Sequence, residues 1–295
     1  MLRVGMMGAD STHTELYARL MNLPDGPFYG RAQVVKLWGA DPAEARQKAE
    51  TCRIPEVVSD PADVLDGVDL VSINNRYGDD HVAPARLALE AGKPTFVDKP
   101  FTNSLADARA LAHLAAEHNA PLMSCSSLRY AAEVQTLLRE AQGWGSLNLV
   151  QTVGPAAGAF PNPRASHPFF YGVHAVEMLH TLIGPGATSL TTHRTPAGDV
   201  VVLDYADERR GVVNLLRQGP AVYHAAVYAA DGWGHAAITD HSGYYTATLG
   251  RILDMAETGR VACPIEYTLE IVAILDAITR SAEQGGVRVA VEAGL

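Results

Sequence analysis

Cysteine is scarce in this 295-residue chain: Cys52, Cys125 and Cys263 stand far apart and make no C-x-x-C pair. That spacing excludes a zinc ribbon and a disulfide framework, and fits a reducing, cytoplasmic setting. Positive charge is short as well, with 23 Lys and Arg against 33 Asp and Glu and a formal charge of −10. Nucleic-acid binding needs clustered Lys and Arg to displace counterions, so nucleic acid is not an expected partner. No apolar run approaches a membrane span, and Met1-Leu2-Arg3-Val4-Gly5 enters a strand pattern with no charged leader or apolar signal core. Neither membrane insertion nor export is expected. The chain also lacks a G-x-S-x-G nucleophile elbow, a Walker phosphate loop, repeats and low-complexity tracts.

What is present is a globular composition, 47% hydrophobic and 19% charged, with length enough for two domains. Short β-branched runs at 2–7, 33–38, 70–73, 95–97 and 122–125 alternate with helical stretches at 14–21, 43–52, 83–91 and 105–118. This alternation predicts parallel βαβ units. Beyond residue 125 the pattern changes. Helices at 131–141 and 173–182 precede strand-like runs at 148–153, 189–194, 200–205, 212–216, 221–229 and 236–239, and helices at 243–257 and 265–283 follow. The expected fold class is α/β: a doubly wound parallel sheet of Rossmann type over 1–125, then an α/β domain with an open, largely antiparallel sheet over 126–295.

Strand, glycine turn and helix come in dinucleotide-binding order at Met7-Gly8-Ala9-Asp10-Ser11-Thr12-His13. With Gly8 as the first fingerprint glycine, Asp10 and His13 occupy the positions of the second and third. Backbone N–H groups at a helix start hold an anion whatever the side chains, and the Ser11 and Thr12 hydroxyls add donors. The competing reading is an ordinary helix start with Thr12-x-x-Glu15 as a capping box. Asp41 is the acid nearest the end of the second strand, where a carboxylate binds a ribose hydroxyl, and helix capping competes for it too. The cofactor can be NAD or NADP on this reading.

Two clusters carry candidate chemistry. Asp98-Lys99-Pro100 follows an apolar strand and delivers two charges to the sheet edge where open α/β folds bind ligands. Lys99 there can orient a substrate hydroxyl and offset a developing alkoxide, against the alternative of a surface salt bridge with Asp98. In the second cluster, His174 and Glu177 lie one turn apart on one helical face, which suits His174 as a general base oriented by Glu177. A hydrogen-bonded structural histidine is the competing reading. No further His, Asp or Glu is spaced to complete a metal site, so no metal is expected.

With these motifs placed, the chain resembles the Gfo/Idh/MocA family over nearly its whole length. Asp98-Lys99-Pro100 looks like the family's E-K-P motif with Asp for Glu. Residues 69–75 followed by His81 look like its third nucleotide-binding strand and loop, Leu128-Arg129-Tyr130 is similar to the segment opening the second domain, and 174–177 resembles its H-x-x-D helix motif. The resemblance implies reversible hydride transfer between a nicotinamide ring and a carbinol carbon of a sugar, polyol or related compound. By the same motifs Lys99 would position the substrate hydroxyl and His174 would take its proton. Asn74, Asn75, Asp98 and Pro100 would join Gly8, Asp10, Ser11, Thr12 and Asp41 at the cofactor, and Arg129, Arg164, His167, Tyr171 and Glu177 would face the substrate. Association into a homo-oligomer, dimer or tetramer, through the open sheet is also implied.

The chain departs from the family pattern at the glycine positions, at the acid after the second strand, and at Phe170, where many members carry an aspartate. Two other readings follow from the same resemblance. One is a glycoside-cleaving enzyme that uses tightly bound NAD without net redox change, and the other is a degenerate dinucleotide- or sugar-binding protein.

Overall fold

Leu2–Met7 (β1), Thr12–Asn22 (α1), Ala32–Trp38 (β2), Pro42–Cys52 (α2), Glu56–Val57 (β3), Leu70–Ile73 (β4), Val82–Glu90 (α3), Thr95–Val97 (β5), Leu105–Glu117 (α4) and Leu122–Met123 (β6) follow one another as strand and helix. The computed structural model describes residues 1–156, 164, 168–292 and 294. These divide into one unit of Met1–Cys125 with Tyr245–Ile265 and another of Ser126–Tyr244 with Glu266–Leu295.

In the first unit the six strands pair in parallel in the order β3-β2-β1-β4-β5-β6. Every residue of β4 and β5 is buried, which explains their unbroken apolar or small character: helices cover both faces of a parallel sheet. The strand order reverses between β1 and β4, and there the carboxyl ends open the crevice in which such sheets bind ligands. The two-residue strand β3 lacks enough residues to show alternation and escapes sequence reading.

The second unit holds Ala132–Ala141 (α5), Leu147–Pro155 (β7), Pro168–Ile183 (α6), Ala187–Thr195 (β8), Gly198–Tyr205 (β9), Arg210–Leu216 (β10), His224–Ala229 (β11) and Trp233–Ala237 (β12). Gly243–Thr258 (α7), Ile265–Glu283 (α8) and Val289–Ala290 (β13) complete the chain. The second sheet runs β12-β11-β7-β10-β9-β8-β13, antiparallel except for the parallel pair β7 and β10.

Most of α7 lies with the first unit rather than with the domain predicted to begin at 126. It is held there by Arg31, whose Nη2 donates to Asp254 Oδ1 at 2.7 Å and to Glu257 Oε2 at 2.8 Å. Tyr245 packs edge-on to Tyr17 at 6.3 Å between ring centroids. The last hairpin also differs from its predicted position: β12 starts at Trp233, ahead of the run expected at 236–239, and includes Gly234. That glycine makes room for Trp144: a Cβ at 234 would lie 2.6 Å from Trp144 Cη2. Its signal is close packing, which sequence reads as a turn.

Candidate functional site

The loop after β1 is built by local hydrogen bonds. Ser11 is the N-cap of α1, its Oγ accepting from His13 N at 3.1 Å. Thr12 is therefore the first helical residue and exposed, so the proposed Thr12-x-x-Glu15 capping box is replaced by a Ser11 cap. Thr14 Oγ1 donates back to Gly8 O at 2.5 Å. Gly8 has φ +100°, and a Cβ there would collide with the Asn75 backbone nitrogen, so glycine alone fits.

Asp10, standing where the fingerprint has its second glycine, is tied to the loop after β4. Its Oδ2 accepts from Arg76 N at 3.2 Å, while Arg76 Nε and Nη2 donate to the Asp10 carbonyl at 2.9 and 2.7 Å. Lys48 Nζ donates to the Ser11 carbonyl at 2.5 Å. Two cations thus attend the loop whose glycines are missing. Asp41 takes the competing role set out for it: it is the N-cap of α2, Oδ1 accepting from Ala43 N at 2.8 Å.

His13, at the third glycine position, places Nδ1 2.6 Å from Asp98 Oδ2 and Nε2 3.2 Å from the Tyr245 hydroxyl. Asp98 is 2% exposed, which rules out a surface ion pair. Burial works to raise its pKa, but the His13 charge and hydrogen bond, with Lys99 and His81, outweigh it and hold the carboxyl at about 2. Burial pushes the half-buried Lys99 amine below its ordinary range, Asp98 opposes the shift and Arg76 adds to it. His81, fully buried, bridges two loops: Nδ1 meets the Pro100 carbonyl at 2.9 Å and Nε2 the Asn75 carbonyl at 2.7 Å. The Lys99–Pro100 peptide is cis.

Asn74 and Asn75 close the same edge. Ser72 Oγ donates to Asn74 Oδ1 at 3.0 Å, but Asn74 Nδ2 and Asn75 Oδ1 are buried without a hydrogen-bond partner. Buried polar atoms are almost always satisfied, so orphaned amides at a ligand-binding sheet edge are what a cofactor would pair. The first unit therefore brings together Gly8, Asp10, Ser11, Asn74, Asn75, Asp98, Lys99 and Pro100.

The second unit gathers a separate cluster on α6. His174 Nδ1 lies 2.7 Å from Ser126 Oγ, with the rings of Tyr171 and Tyr223 at 6.0 and 5.6 Å from its own. Glu177 does not orient His174 as expected. Its Oε1 accepts from Arg129 Nε at 2.6 Å, both side chains are buried, and the Arg129 guanidinium lies 5.9 Å from the Tyr267 ring centroid. The i, i+3 spacing allowed either partner, but a buried arginine requires a carboxylate and His174 does not. Arg129→Ala should accordingly cost about 3–5 kcal/mol of stability by leaving Glu177 buried without its cation, whereas Arg129→Met with Glu177→Leu should cost much less; urea denaturation of the three proteins checks this.

Phe170 is buried with its ring 4.9 Å from that of Tyr171. Arg164 is exposed, and His167 lies outside the described residues. Among the described residues no group of three or more His, Cys, Asp or Glu is arranged to hold a metal, and no helix is long and apolar enough to cross a membrane.

Sequence reading passed over Arg76, Ser126, Tyr223 and Tyr245 altogether. His13 was read as a lost glycine; its partners lie 85 and 232 residues away, and no local signal marks them.

A parallel sheet with its reversal beside an anion-suited helix start, followed by a mixed-sheet α/β unit, defines a chain of the dinucleotide-binding dehydrogenase class of folds. Residues 2–125 match the GFO_IDH_MocA family, described as an oxidoreductase family with an NAD-binding Rossmann fold. That match spans the first domain, less than half of the chain. Comparison with curated protein sequences finds no significant match.

Solved structures show the same fold across both units. A myo-inositol dehydrogenase from Corynebacterium glutamicum ATCC 13032 is 15% identical, with TM-score 0.83 over 99% of each chain. GenD2 from gentamicin A biosynthesis, solved with NAD, is 20% identical, with TM-score 0.84 over 98% of this chain and 96% of the other. A scyllo-inositol dehydrogenase from Lactobacillus casei with NAD(H) and scyllo-inositol is 14% identical, with TM-score 0.83 over 99% of each.

Proposed function

We propose that this protein is an NAD(P)-dependent dehydrogenase or reductase that interconverts a carbinol carbon and a carbonyl in a sugar, polyol or related small molecule. The observation that carries the reading is the pair of orphaned, buried amide atoms, Asn74 Nδ2 and Asn75 Oδ1, at the sheet edge that also presents Lys99. The residues suit a dinucleotide. The α1 N–H groups and the Ser11 hydroxyl would meet its pyrophosphate, Arg76 and Lys48 supply the positive charge near that loop, and Asn74, Asn75 and Pro100 would flank its nicotinamide end. When bound, that ring accepts or donates the hydride.

Lys99 holds the substrate hydroxyl and stabilises the alkoxide that forms as its proton is taken in oxidation, or as hydride adds to the carbonyl in reduction. His174 takes the hydroxyl proton in oxidation and returns it in reduction. Tyr171, and at the chain positions 164 and 167 Arg164 and His167, contribute to substrate binding, while Arg129 and Glu177 support the wall of α6 through their own ion pair. Solved structures of the same fold include enzymes named for inositols, which supports the polyol class. Asp41, the acid after β2, caps α2, so NAD and NADP both remain cofactors on this reading.

Association into a homo-oligomer is part of the proposal. The second sheet's outward rows carry Leu149, Val153, Val202 and Val212, half-buried, and Val200, exposed, an apolar face suited to a second copy.

Titration with NAD⁺, NADH, NADP⁺ and NADPH followed by thermal shift tests the cofactor reading. One pair should stabilise the protein saturably, by roughly 2.7 kcal/mol at 100-fold excess over Kd. Stabilisation by none of the four overturns it and favours a degenerate, non-redox member of the family.

A further inference from the structure

We propose that Ser126, which no motif singles out, is the positioning residue that sets the tautomer of His174. The inference rests on the reading of His174 as the proton-transfer group and names the atom that controls it.

Ser126 is fully buried at the head of the turn Ser127–Tyr130, three residues after β6. Its Oγ already accepts from Leu128 N at 3.3 Å, which fixes the hydroxyl relative to the backbone, and it lies 2.7 Å from His174 Nδ1. Within the second unit the ring is flanked by Tyr171, one turn before it on α6, and by Tyr223, which meets it edge-on at an interplanar angle of 80°. The only carboxylate one turn along, Glu177, is bound to Arg129. At Nδ1 the ring faces a neutral hydroxyl, the nitrogen at which a histidine acid–base group often has a carboxylate.

The chemistry follows from which ring nitrogen holds a proton. When Nδ1–H donates to Ser126 Oγ, Nε2 carries the lone pair and acts as the base. After proton uptake Nε2 carries the second proton, and Nδ1–H still donates to Ser126. One hydrogen bond thus serves both directions of a reversible reaction, and its neutral acceptor adds no charge to hold the imidazolium. Ser126 in this arrangement orients the ring through a neutral acceptor.

The test combines kinetics with ¹⁵N NMR of the His174 ring in the intact protein. Ser126→Ala should lower kcat about 10- to 100-fold with cofactor affinity unchanged, and Ser126→Thr, which keeps the hydroxyl, should restore most of it. In the ¹⁵N spectrum the neutral wild-type ring should be the Nδ1–H tautomer, and Ser126→Ala should mix the two tautomers. Ser126→Asp should move the acidic limb of the pH–rate profile, and the ¹⁵N titration of His174, upward by about one pH unit or more. An Nε2–H tautomer in the wild type, or a ring titration unmoved by Ser126→Asp, overturns the proposal. The spectra report this even in a protein with no dehydrogenase activity, so loss of the functional reading and loss of the Ser126 role are told apart.

Discussion

Lys99→Ala is expected to lower kcat by roughly 10²–10³-fold while leaving the dinucleotide dissociation constant within about threefold of wild type. Lys99 follows β5, which is buried at every residue, so truncation removes a positioned charge and leaves the strand in place. Stabilising an oxyanion matters mainly in the transition state, which is why the loss should fall on kcat. Lys99→Arg should not rescue it: a planar guanidinium cannot stand in for a compact ammonium at a half-buried position. Burial lowers the Lys99 pKa from its ordinary 10.5, and in the proposed role the charged form is the active one. The alkaline limb of kcat should therefore fall below the ordinary lysine range in wild type. Turnover measured across pH with saturating cofactor settles it; near-wild-type rates in Lys99→Ala would remove the residue from the mechanism.

His13→Gly, which restores the third glycine of the fingerprint, should destabilise the protein by about 3 kcal/mol or more and bring no gain in cofactor affinity. The substitution removes the imidazole from a 2.6 Å contact with a carboxylate that is 2% exposed, leaving a buried charge without its nearest partner. The pH dependence has a definite sign. The folded pKa of Asp98, about 2, lies below the ordinary 3.8, so the stabilisation is complete above pH 4 and fades as pH falls toward 2. That difference corresponds to about 2 kcal/mol. Asp98→Asn should thus be clearly less stable than wild type at pH 6, with the gap closing between pH 4 and pH 2. Urea denaturation at several pH values reads both effects. A His13→Gly variant as stable as wild type, or with tighter cofactor binding, would mean that the glycine is simply missing and that His13 has no structural role.

The sequence announced the parallel sheet because β4 and β5, buried at every residue, read as short apolar or small runs, and because helical stretches alternate with the strands. It announced Lys99 for a related reason: a charge pair that ends an apolar strand stands at the ligand edge in any packing of that sheet. The helices of the second unit were legible for their length, whereas β3 was too short to alternate and Gly234, packed against Trp144, mimicked a turn.

Partnerships could not be read in the same way. Composition and spacing located His13, Asp98, His174 and Glu177 along the chain, but hydrogen bonds depend on which side chains folding makes neighbours. His13 meets a carboxylate 85 residues away, Glu177 turns to Arg129 instead of the histidine on its own helix, and Ser126 takes the place that Glu177 left open. Secondary structure and the ligand edge follow from local periodicity and backbone chemistry, and those the sequence by itself determined. Which charge is neutralised by which partner is set by burial among residues distant in the chain, and that only the tertiary structure decided.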